Sequence, residues 1–194
     1  MKSTFNFIAL LLAFVCASVK AQTPTSTRNY VIETTVKVKG KKTVASLTGL
    51  PVDSVNKTIT YINSVGRPVQ TIEWQGSPTK RDVVLPAAYD ALGQEAKIFL
   101  PYSATTALSN GSFKTNAISA QKSYFTTAAD LGVRKTDTAF TEKRFEASPL
   151  NRLLEQAAPG LSWKMSSGHT QKTEYLSNNT STSYTTSGFA VRLY

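Results

Sequence analysis

Thr58 to Tyr102 reads TITYINSVGRPVQTIEWQGSPTKRDVVLPAAYDALGQEAKIFLPY and contains two strand–turn–strand units in succession. In the first, Ile59 and Tyr61 alternate with Thr58, Thr60 and Ile62. Asn63 to Gly66 then turns the chain, and Val69 to Trp74 runs back. In the second, Val83, Leu85, Ala87 and Tyr89 share one face of a strand. Ala91-Leu92-Gly93 turns, and Ala96, Ile98, Leu100 and Tyr102 share one face of the return strand. Two such units predict a mainly β fold of antiparallel hairpins, and the rest of the chain is read against them.

Upstream, Tyr30, Ile32, Thr34, Val36 and Val38 alternate with Val31, Glu33, Thr35, Lys37 and Lys39, which predicts a half-buried antiparallel strand. Thr43 to Leu47 reads as its return strand, after which Gly49-Leu50-Pro51 and Asp53-Ser54 break the pattern. Residues 22–29 are polar and aperiodic, as a flexible lead would be. Residues 1–21 have the layout of a secretory signal peptide: Lys2, an apolar centre from Phe7 to Val15, then Val19-Lys20-Ala21 with small residues at the two positions a signal peptidase reads, Val19 and Ala21. The apolar stretch is too short to span a bilayer, so the mature chain is expected to carry no membrane span. The expected location is exported, whether extracellular, cell-surface or periplasmic.

Downstream, residues 103–141 are rich in Ala, Ser and Thr and read as a loop-like excursion, with one short helix near 116–126 capped by Asn116. Ile118, Gln121 or Lys122, and Phe125 fall on one side of that helix. A third unit follows over Lys143 to Gln156, where Ser148-Pro149-Leu150-Asn151 suits a type I turn with Pro149 supplying its fixed φ. Aligning Gly66, Gly93 and Asn151 gives VGRPVQ, LGQEAK and LNRLLE, a residue tolerant of positive φ, then a long polar residue, then a strand. The spacings of 27 and 58 residues make this a degenerate repeat with an insertion. His169 to Tyr175 reads as a further strand. Residues 176–194 are Ser/Thr/Asn-rich and finish strand-like at Phe189 to Tyr194, as a truncated strand would.

Of 194 residues, 41% are hydrophobic and 18% charged, which suits a globular chain. Cys16, the one cysteine, lies inside the signal segment. A disulfide framework, a thiol nucleophile and cysteine metal sites are therefore not expected in the mature protein. The charge of +10 becomes +8 once Lys2 and Lys20 are removed, and its one dense stretch is Lys37 to Lys42 beside Gly40. That stretch fits either an anionic surface or, better, a solvated hairpin tip. His169, the one histidine, stands without a nucleophile elbow, and the twelve acids are dispersed without a cation-binding loop. The sequence thus predicts no enzyme, no metal and no cofactor. Arg67, Arg152, Trp74 and Trp163 invite a stacking surface for glycan or nucleic acid, but turn arginines and core-edge tryptophans explain them as well. Nucleic acid is not expected as a partner.

Tyr89-Asp90-Ala-Leu-Gly93-Gln94 resembles the YD repeat, in which Tyr-Asp precedes a turn glycine and usually an arginine. The wider series includes Gly66-Arg67-Pro68-Val69-Gln70, Ser77-Pro78, Lys80, Asp82, Leu100-Pro101-Tyr102 and Phe145-Glu146-Ala-Ser148-Pro149-Leu150-Asn151-Arg152, with Gln156, Pro159-Gly160 and Trp163. This series is similar, over about Tyr30 to Tyr175, to the domain of unknown function at the N-terminus of exported RHS/YD-repeat proteins of Gram-negative bacteria. The resemblance implies an N-terminal module that starts or closes a shell of β-strand repeats, often wound around a toxin, with the following repeats as its partner. It departs from the pattern at Gln94, in the interrupted array, and in holding no RHS core or toxin. The alternative reading is a stand-alone surface-binding β domain that recognises glycan or an anionic envelope component. Asp53-Ser54-Val55 and Asp137-Thr138-Ala139 also resemble the acceptor tripeptide of periplasmic O-glycosylation in some bacteria that carry this family, which makes Ser54 and Thr138 modification candidates.

Overall fold

The computed structural model describes residues 23–175 apart from 129 and 131; the signal peptide expected at 1–21 and the strand expected at Phe189 to Tyr194 lie outside them. Among the described residues, nine strands form one antiparallel sheet. These are β1 (Asn29–Val36), β2 (Val55–Ile62), β3 (Pro68–Glu73), β4 (Val83–Ala88), β5 (Lys97–Phe99), β6 (Tyr102–Ser103), β7 (Phe140–Phe145), β8 (Leu153–Ala157) and β9 (Gln171–Lys172). Their order is β1-β2-β3-β4-β5-β7-β8-β9, with β6 also on β4. Each consecutive hairpin therefore adds to the edge left by the one before, as an array of hairpin units should.

The partner of β1 is β2, with Tyr30 opposite Tyr61, Ile32 opposite Ile59 and Val36 opposite Val55. Thr43 to Leu47, expected as the return strand, is instead a 3-10 turn over Val44–Leu47. Thr43 and Ser46 exchange backbone and side-chain hydrogen bonds at its start, so these short polar side chains satisfy the backbone locally and remove its reason to pair with a strand. The alternating face of β1 does point to the core side, yet Tyr30, Ile32 and Val36 stay 36–39% exposed because β1 is an edge. The strand is thus less buried than its pattern implied.

The core lies on the β2–β4 face, where Ile59, Tyr61, Ile72 and Val84 are fully buried, each such side chain worth about 2 kcal/mol. On β4 the buried residues are Val84 and Pro86, with Leu85 exposed, and on β5 Phe99 is buried and Ile98 exposed. The set Val83, Leu85, Ala87 and Tyr89 thus lies opposite the buried face of β4, whereas in the second set, split here between β5 and β6, Leu100 packs on the core and Tyr102 is buried. Both faces of these short strands are apolar, so alternation alone did not identify the covered one.

The excursion supplies that cover. It carries α1 (Ala117–Ser123), which widens into a π turn over Tyr124–Ala128, and Ala117, Tyr124, Phe125 and Ala139 close the core. Ile118 and Lys122 face solvent while Gln121 is buried, its Nε2 donating to Ala139 O at 2.7 Å and so capping a carbonyl in the strand lead. The small residues Ala117 and Ala120 are what let the helix sit close to the sheet. Residues 23–28, expected as a flexible lead, are strapped down: Thr25 N donates to Tyr61 OH (3.0 Å), Phe113 N to Thr25 Oγ1 (2.9 Å), and Arg28 lies 4.3 Å over the Phe113 ring. Their anchors are more than 30 residues away in sequence, out of reach of a local reading.

Candidate functional site

One five-residue turn recurs four times. Its first residue is Asn63, Ser77, Asp90 or Ser148, and its fourth is Gly66, Lys80, Gly93 or Asn151, with φ of +82°, +54°, +76° and +49°. In each, the fourth N–H donates to the first carbonyl at 2.9–3.0 Å. The polar first side chain accepts from the backbone ahead: Asn63 Oδ1 from Arg67 N (2.9 Å), Ser77 Oγ from Arg81 N (2.8 Å), Asp90 Oδ1 from Gln94 N (2.8 Å) and Ser148 Oγ from Leu150 N (3.2 Å). This is a type I turn followed by a left-handed residue, the three-residue hairpin connection whose extra residue makes a bulge. Pro78 and Pro149 hold the second position in the two Ser-Pro copies. The Ser77 copy was not read as a turn from the sequence, although Ser-Pro-x-x-Arg at 77–81 repeats at 148–152 and was the available signal.

The fifth residue reaches outward. Arg67 Nη1 donates to Gly93 O at 2.6 Å and the guanidinium lies 5.5 Å from the Tyr89 ring, while Tyr89 OH donates to Pro68 O at 2.8 Å. Arg67, Tyr89, Asp90 and Gly93 thus form a clasp between two neighbouring hairpins. Arg81 pairs with Asp130, which also accepts from Tyr124 OH (3.1 Å), and so binds its turn to the π turn. Arg152 makes a forked pair with Glu146 (Nη2–Oε2 2.9 Å, Nε–Oε1 3.0 Å), and its guanidinium lies 4.4 Å over the Tyr175 ring. Hydrogen bonds from Arg152, then Ser148, hold the Glu146 carboxyl down to about 2. Gln94 stands at the position that carries arginine in the other three turns, and its Nε2 is buried with no hydrogen-bond partner among the described residues.

Behind the clasp lies a buried polar network that the sequence did not signal. Asp82 and Lys114 are both buried, with Lys114 Nζ 3.2 Å from Asp82 Oδ2. Asp82 also accepts from Gln75 N (3.0 Å) and Gly111 N (2.8 Å), and Lys114 Nζ donates to Ser112 O (2.6 Å). Gln70 and Lys114 exchange a pair of bonds through Lys114 N and O, at 2.8 and 3.0 Å. Burial lowers the Lys114 pKa, with Asp82 opposing the shift. These bonds hold the 109–115 loop to the sheet.

The remaining candidates are dispersed. Ser54 and Thr138 are half-buried, and the Thr138 hydroxyl lies 3.0 Å from that of Thr136. Trp74 is buried, whereas Trp163 is 51% exposed against the His169 ring at 5.4 Å, with His169 Nδ1 2.9 Å from Ser162 O. Lys37 to Lys42 are exposed around Gly40, whose φ is +81°. Among the described residues, no three His, Cys, Asp or Glu side chains gather as a metal site would require, and no helix is long and apolar enough to cross a membrane.

Residues 34–177 match the family described as a domain of unknown function (DUF6443), and the chain belongs to that family. No curated protein and no solved structure matches it.

Proposed function

We propose that this member of the DUF6443 family is an exported, non-catalytic module that starts or closes a YD-type shell of β-hairpin repeats, as its resemblance to the N-terminal region of exported RHS/YD-repeat proteins implies. The observation that carries the reading is the recurrence of one turn, with arginine after its left-handed residue in three of four copies, along a sheet in which each hairpin extends the last. A repeat array grows this way because each unit leaves a row of unpaired N–H and C=O groups for the next. The Arg67–Gly93 and Tyr89–Pro68 bonds are the device that would be copied at each junction, since both end on backbone carbonyls and need no particular side chain in the neighbour. In chain order the following repeats would add at the β8–β9 side.

The DNA downstream of the Tyr194 codon tests the reading. Further Tyr-Asp hairpin repeats, in frame or after a frameshift, are expected. A stop followed by unrelated sequence would overturn it in favour of a stand-alone surface-binding domain. Intact mass of protein recovered outside the cytoplasm of the native host reads two subsidiary proposals, removal of 1–21 and glycan addition at Ser54 and Thr138. Retention of Met1 to Ala21 sinks the first, and unmodified peptides over both hydroxyls sink the second.

A further inference from the structure

Away from the clasp, a cleft of about 730 Å³ opens between the 133–137 segment and the Pro159–Trp163 turn. Leu100, Phe125 and Pro159 contribute apolar lining. Both walls are fixed to the fold: Thr136 N donates to Phe125 O at 2.9 Å, and Gly160 N to Thr138 O at 2.8 Å. One wall ends in Trp163, 51% exposed and backed by His169, beside Leu161 at 59% exposure. The other carries Arg134 and Lys135, exposed and with no carboxylate partner among the described residues, followed by Asp137.

We infer that this cleft is a binding site for an acidic saccharide, a pyranose chain bearing carboxylates. The electron-rich face of the indole attracts the weakly positive C–H face of a sugar ring, and the ring is already held by its neighbour. Two unpaired cations on the facing wall suit a carboxylate, and arginine supplies the forked geometry that a carboxylate takes. Asp137 and Ser162, with acceptor oxygens on either wall, suit sugar hydroxyls, whereas a lipid chain would place the Asp137 carboxylate against hydrocarbon at a cost. The fixed walls lower the ordering cost of binding. The inference is independent of the repeat reading.

Calorimetric titration of the full exported chain with tetragalacturonate tests it, with cellotetraose as the neutral probe of equal length. Saturable binding of tetragalacturonate is expected. A loss of about tenfold or more is expected for cellotetraose, for Trp163→Ala and for Arg134→Gln/Lys135→Gln, with Lys41→Gln/Lys42→Gln unchanged. Absence of saturable binding, equal affinity for the neutral probe, unaltered binding in the cleft variants, or a matching loss in the Lys41/Lys42 control each overturns the inference. Should Trp163→Ala fail to fold by thermal melt, the Arg134/Lys135 variant decides, because both side chains are exposed and make no ion pair among the described residues.

Discussion

Gly66 and Gly93 occupy the same left-handed position in different company. A Cβ at Gly66 meets nothing within 4 Å, so Gly66→Ala should cost only the backbone penalty, about 1 kcal/mol in urea melts. At Gly93 the added carbon would strike the Arg67 guanidinium, so Gly93→Ala should cost more and also detach Arg67 from the Gly93 carbonyl. Equal losses at the two sites would show that the clasp contributes nothing. Lys114 presents the opposite case, a charge that is tolerable only through its partner. Replacing it with Met leaves Asp82 buried with two backbone donors and no counter-charge, which should cost about 3 kcal/mol; a loss below about 1 kcal/mol would mean that water compensates the carboxylate. Three of the four turns were legible in the sequence because their constraint is local, a positive φ and a hydrogen bond two to four residues away. Lys114 was not, since its burial depends on an aspartate 32 residues earlier.

The β7–β8 hairpin depends on an ion pair that acid can remove. Glu146 is held at about 2 against an ordinary 4.5, so it binds fewer protons in the folded state than in the unfolded one. Its contribution is therefore full above pH 4.5 and declines as pH falls toward about 2. The stability difference between the parent and Glu146→Gln, measured by melts across that window, should shrink toward zero at the acid end. A constant difference would mean that the Arg152 fork carries no stability. At this scale the hairpins over Thr58 to Ile98 and Phe145 to Gln156 could be read from alternation and turn residues. Two things could not. Thr43 to Leu47 carries strand-like residues but has side chains that satisfy its backbone locally. The inward face of β4 was chosen by a helix 30 residues further on, and periodicity holds no record of which face a distant element will cover.

Across the whole molecule, the core face runs from β4 out to β1 without being fully closed, and the described sheet ends on a two-residue strand at β9. The excursion that looked like an interruption is what seals the β2–β4 region, so that region should be the most stable part of the domain. The β7–β9 end rests on short pairings, the last of them only two residues long. If the domain is one end of a longer repeat array, its amide protons should divide accordingly. Hydrogen exchange on the purified protein measures this most directly. The account predicts slow exchange through β2, β3 and β4 and markedly faster exchange over Phe145 to Gln156 and β9, with the difference erased when following repeats are attached. Uniformly slow exchange through every described strand, in a soluble monomer with one sharp unfolding transition, would show a self-sufficient domain and contradict the account.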